Sequence, residues 1–180
     1  YRNKAKLHDD IYVTGNLGDS YMGLKVLKKK INLNRKLKDY FEKRYYSPDL
    51  QINFTNKLLN FANSSIDISD GLFADLKKLI NKQKLSFKLY LNQIPISKNL
   101  KNLIFLKRLK KISFISRGDD YQILFTASPF RSKIINKTAK SLGVKITKIG
   151  KICNYSTKSQ ILDEKLMKID PKHQGYSHRF

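Results

Sequence analysis

At 180 residues with 41% apolar content, the chain is long enough for one packed domain, which excludes global disorder despite a mean hydropathy of −0.48. No apolar run approaches the ~20 residues of a membrane-spanning helix, no secretory signal opens the chain, and the single Cys153 excludes an internal disulfide and fits a reducing, cytoplasmic setting. The net charge of +23 comes from lysines scattered from Lys4 to Lys172, so a solvated basic surface is preferred to a nucleic-acid interface, although anionic ligands are still attracted.

Ile11-Tyr12-Val13-Thr14 is β-branched and aromatic and predicts a strand ending at Gly15. The turn Gly15 to Ser20 follows, with a helix cap at its end, and Tyr21, Leu24, Leu27 and Ile31 set out a helical stripe. Residues 32–49 are basic and polar, and Tyr40 to Tyr46 reads as the end of an amphipathic helix. Phe54, Leu58, Leu59 and Ala62 predict a second helix, which leads into a strand over Ser64 to Ile68. Leu72, Leu76, Leu79 and Ile80 give the next helix a clean apolar face. Leu85 to Leu91 alternates as a strand with one exposed side, and Leu100 to Leu109 is a basic helix-like segment. Tyr121 to Thr126 is mostly apolar and predicts a central strand. A helix from Ser128-Pro129 to about Leu142, a strand over Val144 to Ile152 and an irregular tail complete the chain. Strands alternating with helices predict a layered α/β (α+β) domain, a mixed sheet with helices packed on it.

The most informative stretch is Ile66-Asp67-Ile68-Ser69-Asp70-Gly71. In a strand, Asp67 and Ser69 share one face while Ile66 and Ile68 share the other, and Asp70 falls at the mouth of the following helix. Exposed N–H groups and the helix dipole favour anions there. Two carboxylates and a hydroxyl so placed suit a divalent cation and the phosphates it bridges. Helix capping by Ser69 or Asp70 is the plainer reading. It explains one of the three residues, and a carboxylate within an apolar strand is expensive to bury unless paired or cation-bound. Asp75 reads as a solvated helix residue or as a partner that fixes the turn. Gly118-Asp119-Asp120-Tyr121-Gln122 is a second acidic cluster, either a turn closed by its own Asp side chains or a loop offering polar groups at a strand end. Gly15-x-x-Gly18 lacks the ending of a phosphate-binding P-loop and is read as a strand-to-helix turn. His8, His173 and His178 show no metal-ligand spacing.

Taken in order, Asp10 to Ser20, Ile66 to Leu72, Gly118 to Tyr121 and the closing Gly175-Tyr176-Ser177-His178 resemble the C-terminal half of the thiamine-monophosphate kinases, within the aminoimidazole ribonucleotide synthetase-like superfamily. The resemblance implies ATP-dependent phosphorylation of thiamine monophosphate to thiamine diphosphate, with ATP as co-substrate and Mg2+ as cofactor. By matching positions it makes Asp67 and Asp70 magnesium ligands, Arg2 and Ser69 ATP contacts, and Gln122 and Tyr176 substrate contacts. Gln122 stands where the family usually has a glutamate, Ser177 replaces an aspartate, and Lys4, Leu7 and His8 depart from the family's Gly, Pro and Gly. The implied organisation is a segment 1–10 leading from a separate N-terminal domain, then a C-terminal α/β domain over 11–180. The full-length enzyme is expected as a homodimer, and residues 1–180 alone are expected to be inactive. Another ATP-dependent member of the superfamily, a basic nucleic-acid-binding module and a catalytically idle domain are the alternatives.

Overall fold

The computed structural model describes residues 2–170. Its six-stranded mixed sheet is built from β1 (Asp10–Thr14), β2 (Ser64–Asp67), β3 (Leu85–Tyr90), β4 (Ile123–Ala127), β5 (Ile146–Asn154) and β6 (Gln160–Leu162), in the order β2-β4-β1-β5-β3-β6. All neighbours are antiparallel except β3 and β6. The helices among the described residues are α1 (Asp19–Leu27), α2 (Arg35–Tyr46), α3 (Ile52–Thr55), α4 (Leu72–Leu79), α5 (Lys98–Leu106), α6 (Ile112–Ile115) and α7 (Ser132–Leu142). This is the layered architecture expected from the alternation of strands and helices. None of these helices is long and apolar enough to cross a membrane.

The two-residue period of the strands divides the core. Ile11, Val13, Ile66, Ile68, Leu89 and Leu124 point to one side, where α4 covers them with Leu72, Phe73, Leu76 and Leu79. Tyr12, Ile123 and Phe125 point to the other, against Phe54, Leu58, Phe61 and Ile135 of α7. A third cluster joins α1, α2, α5 and α6 through Met22, Phe41, Leu100, Leu103 and Phe114. Strands β1 and β4 are buried along their whole length, as an apolar interior strand requires.

Two expectations are corrected by packing. Helix α1 ends at Leu27, so Ile31 lies outside it, and it buries Asp19, Ser20, Met22, Gly23 and Val26 while Tyr21 and Leu24 are only half-buried. Small residues decide its orientation, because a Cβ on Gly23 would stand 2.3 Å from the Phe41 carbonyl oxygen of α2. The expected helix from Phe54 to Ala62 is broken into α3 and a 3₁₀ turn at Leu58–Asn60, with Leu59 exposed. Phe54 and Phe61 still meet, 5.8 Å apart by ring centroid, and both pack on Phe125.

Candidate functional site

The two acidic segments, far apart in sequence, lie back to back. The ladder between β2 and β4 continues past the strand ends: Ile68 N–H donates to the Gln122 carbonyl at 2.9 Å, Tyr121 N–H to Ile68 at 2.9 Å, and Asp119 N–H to Ser69 at 3.1 Å. The approach is so close that a Cβ on Gly118 would fall 1.7 Å from the Ser69 carbonyl oxygen. Asp119 and Tyr121 both take left-handed backbone conformations, with φ of 68° and 49°. For tyrosine that is a strained state, held here by the packed turn.

Asp75 holds this turn together. It is fully buried, and its Oδ2 accepts the N–H groups of Ser69, Asp70 and Gly71 at 3.0, 2.9 and 3.1 Å. These three N–H groups belong to the turn that leads into α4, so Asp75 reaches back from the first turn of the helix to tie that segment down. Of the two readings of Asp75, the turn-fixing partner is the one observed. Lys78 bridges Asp70 Oδ2 and, at 3.2 Å, Asp75 Oδ1, and the bond to Asp70 holds its ammonium above the ordinary lysine range.

Ser69, Asp70 and Asp119 face a cleft of about 510 Å³ whose far wall is α1 and the turn after it, with Lys25 and Lys28, while Arg117 enters beside Gly118 from the loop after α6. Tyr21 stands between Lys25 and Arg117, whose charges lie 5.5 and 5.3 Å from its ring. Burial, reinforced by the nearby charge of Asp70, raises the Asp119 carboxyl above the usual range. Acids and cations lining one cleft suit a ligand that carries phosphate and a bridging metal. The alternating faces of the motif are as expected, Ile66 and Ile68 in the core and Asp67 outward. The premise that Asp67 is a carboxylate within an apolar strand is corrected, because it is exposed at the last position of β2.

Arg2 is exposed, and its neighbour Asn3 bonds to the Leu79 carbonyl at the opposite end of α4 from the acidic turn. Gln122 is buried behind the cleft. Its Oε1 accepts from Thr14 at 2.9 Å and its Nε2 donates to the Asp49 carbonyl at 3.0 Å, in a small cavity shared with Asp19, Arg44 and Asp120. Tyr176 lies outside the described residues. A reading from sequence missed the basic wall. Lys28-Lys29-Lys30 is exposed, as a solvated surface is, and the fold sets Lys28 and Lys30 at the rim of the cleft.

Asp120 explains how the wall is positioned. The N-cap of α1 is Gly18, which has no side chain to cap with. Asp120, 102 residues later, accepts its N–H at 2.8 Å and that of Ser20 at 3.4 Å. Asp19 then ties three helices, accepting from Ser97 of the α5 cap at 2.7 Å and from Tyr40 of α2 at 2.9 Å. Burial pushes the Asp120 carboxyl from 3.8 up to about 8, helped by Asp19 and Asp119 and opposed by the two N–H groups. A carboxyl raised on folding stabilises most fully below its unfolded value, and that contribution is lost as pH climbs toward 8. In Asp120→Asn the fall in unfolding free energy between about pH 5 and pH 8 is expected to be shallower in urea titrations. An unchanged slope would locate the titration elsewhere.

Among the described residues, no group of three or more His, Cys, Asp or Glu side chains is placed to hold a metal ion. Asp70 and Asp119 share the cleft, however, and magnesium keeps several waters and is held by one or two carboxylates plus substrate phosphates. The donor set therefore fits part of a magnesium site.

Comparison with known proteins gives a consistent result. The thiamine-monophosphate kinase of Buchnera aphidicola subsp. Schizaphis graminum is 38% identical over 178 residues, which are 98% of this chain and 54% of that protein. The crystal structure of the thiamine-monophosphate kinase from Stenotrophomonas maltophilia K279a superposes with a TM-score of 0.77 at 27% identity, over 91% of this chain and 52% of that one. AaThiL complexed with AMPPCP and TMP superposes with a TM-score of 0.78 at 26% identity, over 98% of this chain and 53% of that one. The chain spans about half the length of the curated relatives it matches. No family model matches.

Proposed function

The chain belongs to the thiamine-monophosphate kinase family and corresponds to its C-terminal half, and from that premise we propose that the protein phosphorylates thiamine monophosphate with ATP. The observation that carries this reading is the seam at Gly118, where two acidic turns close on each other and turn Ser69, Asp70 and Asp119 toward one basic-walled cleft. Phosphoryl transfer asks a protein chiefly for positioning and charge neutralisation, so the cleft needs no nucleophile of its own.

In this proposal Asp70 and the exposed Asp67 hold magnesium, which when bound neutralises phosphate charge, and Asp119 shares the cleft with Asp70. Ser69 offers its hydroxyl to the nucleotide. Lys78 keeps Asp70 oriented and Asp75 keeps the turn rigid. Arg2, Gln122 and Tyr176 retain the nucleotide and substrate roles that the resemblance gives them. The incomplete acidic set is what a site shared with another part of the enzyme would present. Cytoplasmic location and a homodimeric whole enzyme belong to the same proposal.

The test is a coupled ADP-release assay on the full-length protein, with thiamine monophosphate compared with aminoimidazole-pathway substrates. Asp70→Asn is expected to lower turnover by roughly 100-fold or more, the scale for removing a group that manages developing charge. Its unfolding free energy should move by no more than about 1 kcal/mol, since the lost Lys78 pair is partly solvated. Turnover at the wild-type rate would remove Asp70 from the metal site, and preference for another substrate would refute the assignment.

A further inference from the structure

A second cleft, beside the Gly15 to Gly18 turn, contains a lysine that the proposed kinase reaction does not use. It has a volume of about 710 Å³ and lies among the segment after β3, α5 and the turn after β6. Ile94, Ile96 and Ile104 form its apolar surface, and Lys101, Lys111 and Lys145 bring three amines to it. Lys111 is anchored rather than free in solvent: its Nζ donates to the Leu91 carbonyl at 2.7 Å and approaches that of Asn92 at 3.5 Å. Lys145 is anchored too, through Asn16 Oδ1 at 2.7 Å.

We propose that Lys111 is a lysine-acylation site, modified by a small acyl phosphate whose phosphate docks against Lys101 and Lys145. In the step, the Lys111 Nζ lone pair attacks the acyl carbon, the bond from that carbon to the phosphate oxygen breaks, and inorganic phosphate leaves. The surplus amine proton passes to water, and an amide remains. A neutral amine keeps two N–H groups, enough for both carbonyls, and leaves its lone pair for the cleft. Burial lowers Lys111 from 10.5 to about 8, with Lys101 and Lys145 acting in the same direction and Glu164 against it. Asp163 and Lys165 also line the cleft, and their opposite charges leave the cationic side in excess.

The experiment treats the protein with acetyl phosphate near pH 8 and follows each lysine by quantitative peptide mass spectrometry. Lys111 is expected to acetylate roughly tenfold faster than the exposed Lys133 and Lys158, because much more of it is free amine. Labelling with uncharged p-nitrophenyl acetate separates reactivity from docking. In the Lys101→Gln, Lys145→Gln double variant, the ratio of acetyl-phosphate to p-nitrophenyl-acetate labelling at Lys111 should fall about threefold or more. Equal labelling of Lys111 and the exposed lysines overturns the proposal. An unchanged ratio in the double variant overturns the docking of the phosphate.

Discussion

Gly118→Ala is expected to remove nearly all of the kinase activity proposed for the full-length protein and to destabilise the domain by roughly 3 kcal/mol, the upper part of the range for overpacking. The added methyl meets backbone rather than a side chain that could swing away: the Ser69 carbonyl oxygen at 1.7 Å, its carbon at 2.5 Å and the Asp70 Cα at 2.9 Å. Relief requires the two acidic turns to separate, which breaks the bond from Asp119 N–H to Ser69. Asp70 and Asp119 then lose their shared register, and a misplacement of about 1 Å is enough for a 100-fold loss of rate. Urea titration and the ADP-release assay measure the two effects separately. Wild-type activity in a folded Gly118→Ala protein would show that the seam does not position the site.

Asp75→Ala should have the largest effect on stability, about 3–5 kcal/mol, although Asp75 lies outside the cleft lining. Three backbone N–H groups converge on its Oδ2, and hydrogen bonds to a charged acceptor contribute about 1.5–3 kcal/mol each, less whatever water recovers. Lys78 simultaneously loses one of its two carboxylates. Asp75→Asn keeps an oxygen toward the turn and is expected to lose about 1–2 kcal/mol, the charge-assisted part alone. The pair of variants, compared by urea unfolding, checks the mechanism. Equal stability of the alanine variant and wild type would show that the turn holds without its internal anion.

The division between what was legible in the sequence and what was not follows from the range of the forces involved. The face of α4 was readable because Leu72, Leu76 and Leu79 repeat at helical spacing and a helix buries its apolar stripe wherever it docks. Strand β4 was readable because an apolar run with no polar alternation must be covered on both sides. Helix α1 misled, because Gly23 and Ser20 carry no hydrophobic signal yet let the α2 backbone come close. The acidic residues were conspicuous but their assignments were not. Whether Asp75 is solvated or satisfies three amides depends on where the chain turns at Ser69 to Gly71, and whether Asp67 is buried depends on which strand lies at the sheet edge. Lys25, Lys28 and Arg117 resembled any other basic surface until α1 was placed against the loop after α6. The resemblance carried the family, and the contacts between distant segments supplied the geometry.

The remote cap on α1 has a consequence for the making of the protein. Central strand β1 bonds on one side to β4 and on the other to β5, and the first turn of α1 depends on Asp120. A ribosome adding about 5–20 residues per second needs roughly 5–20 s to carry the chain from Gly18 to Asp120. Over that interval an apolar strand emerges without either neighbour, followed by a helix whose start has no cap of its own. Nascent chains of this domain therefore pass through seconds with an unpaired apolar strand that chaperones can bind, and the cleft walls can come together only after Asp120 has emerged.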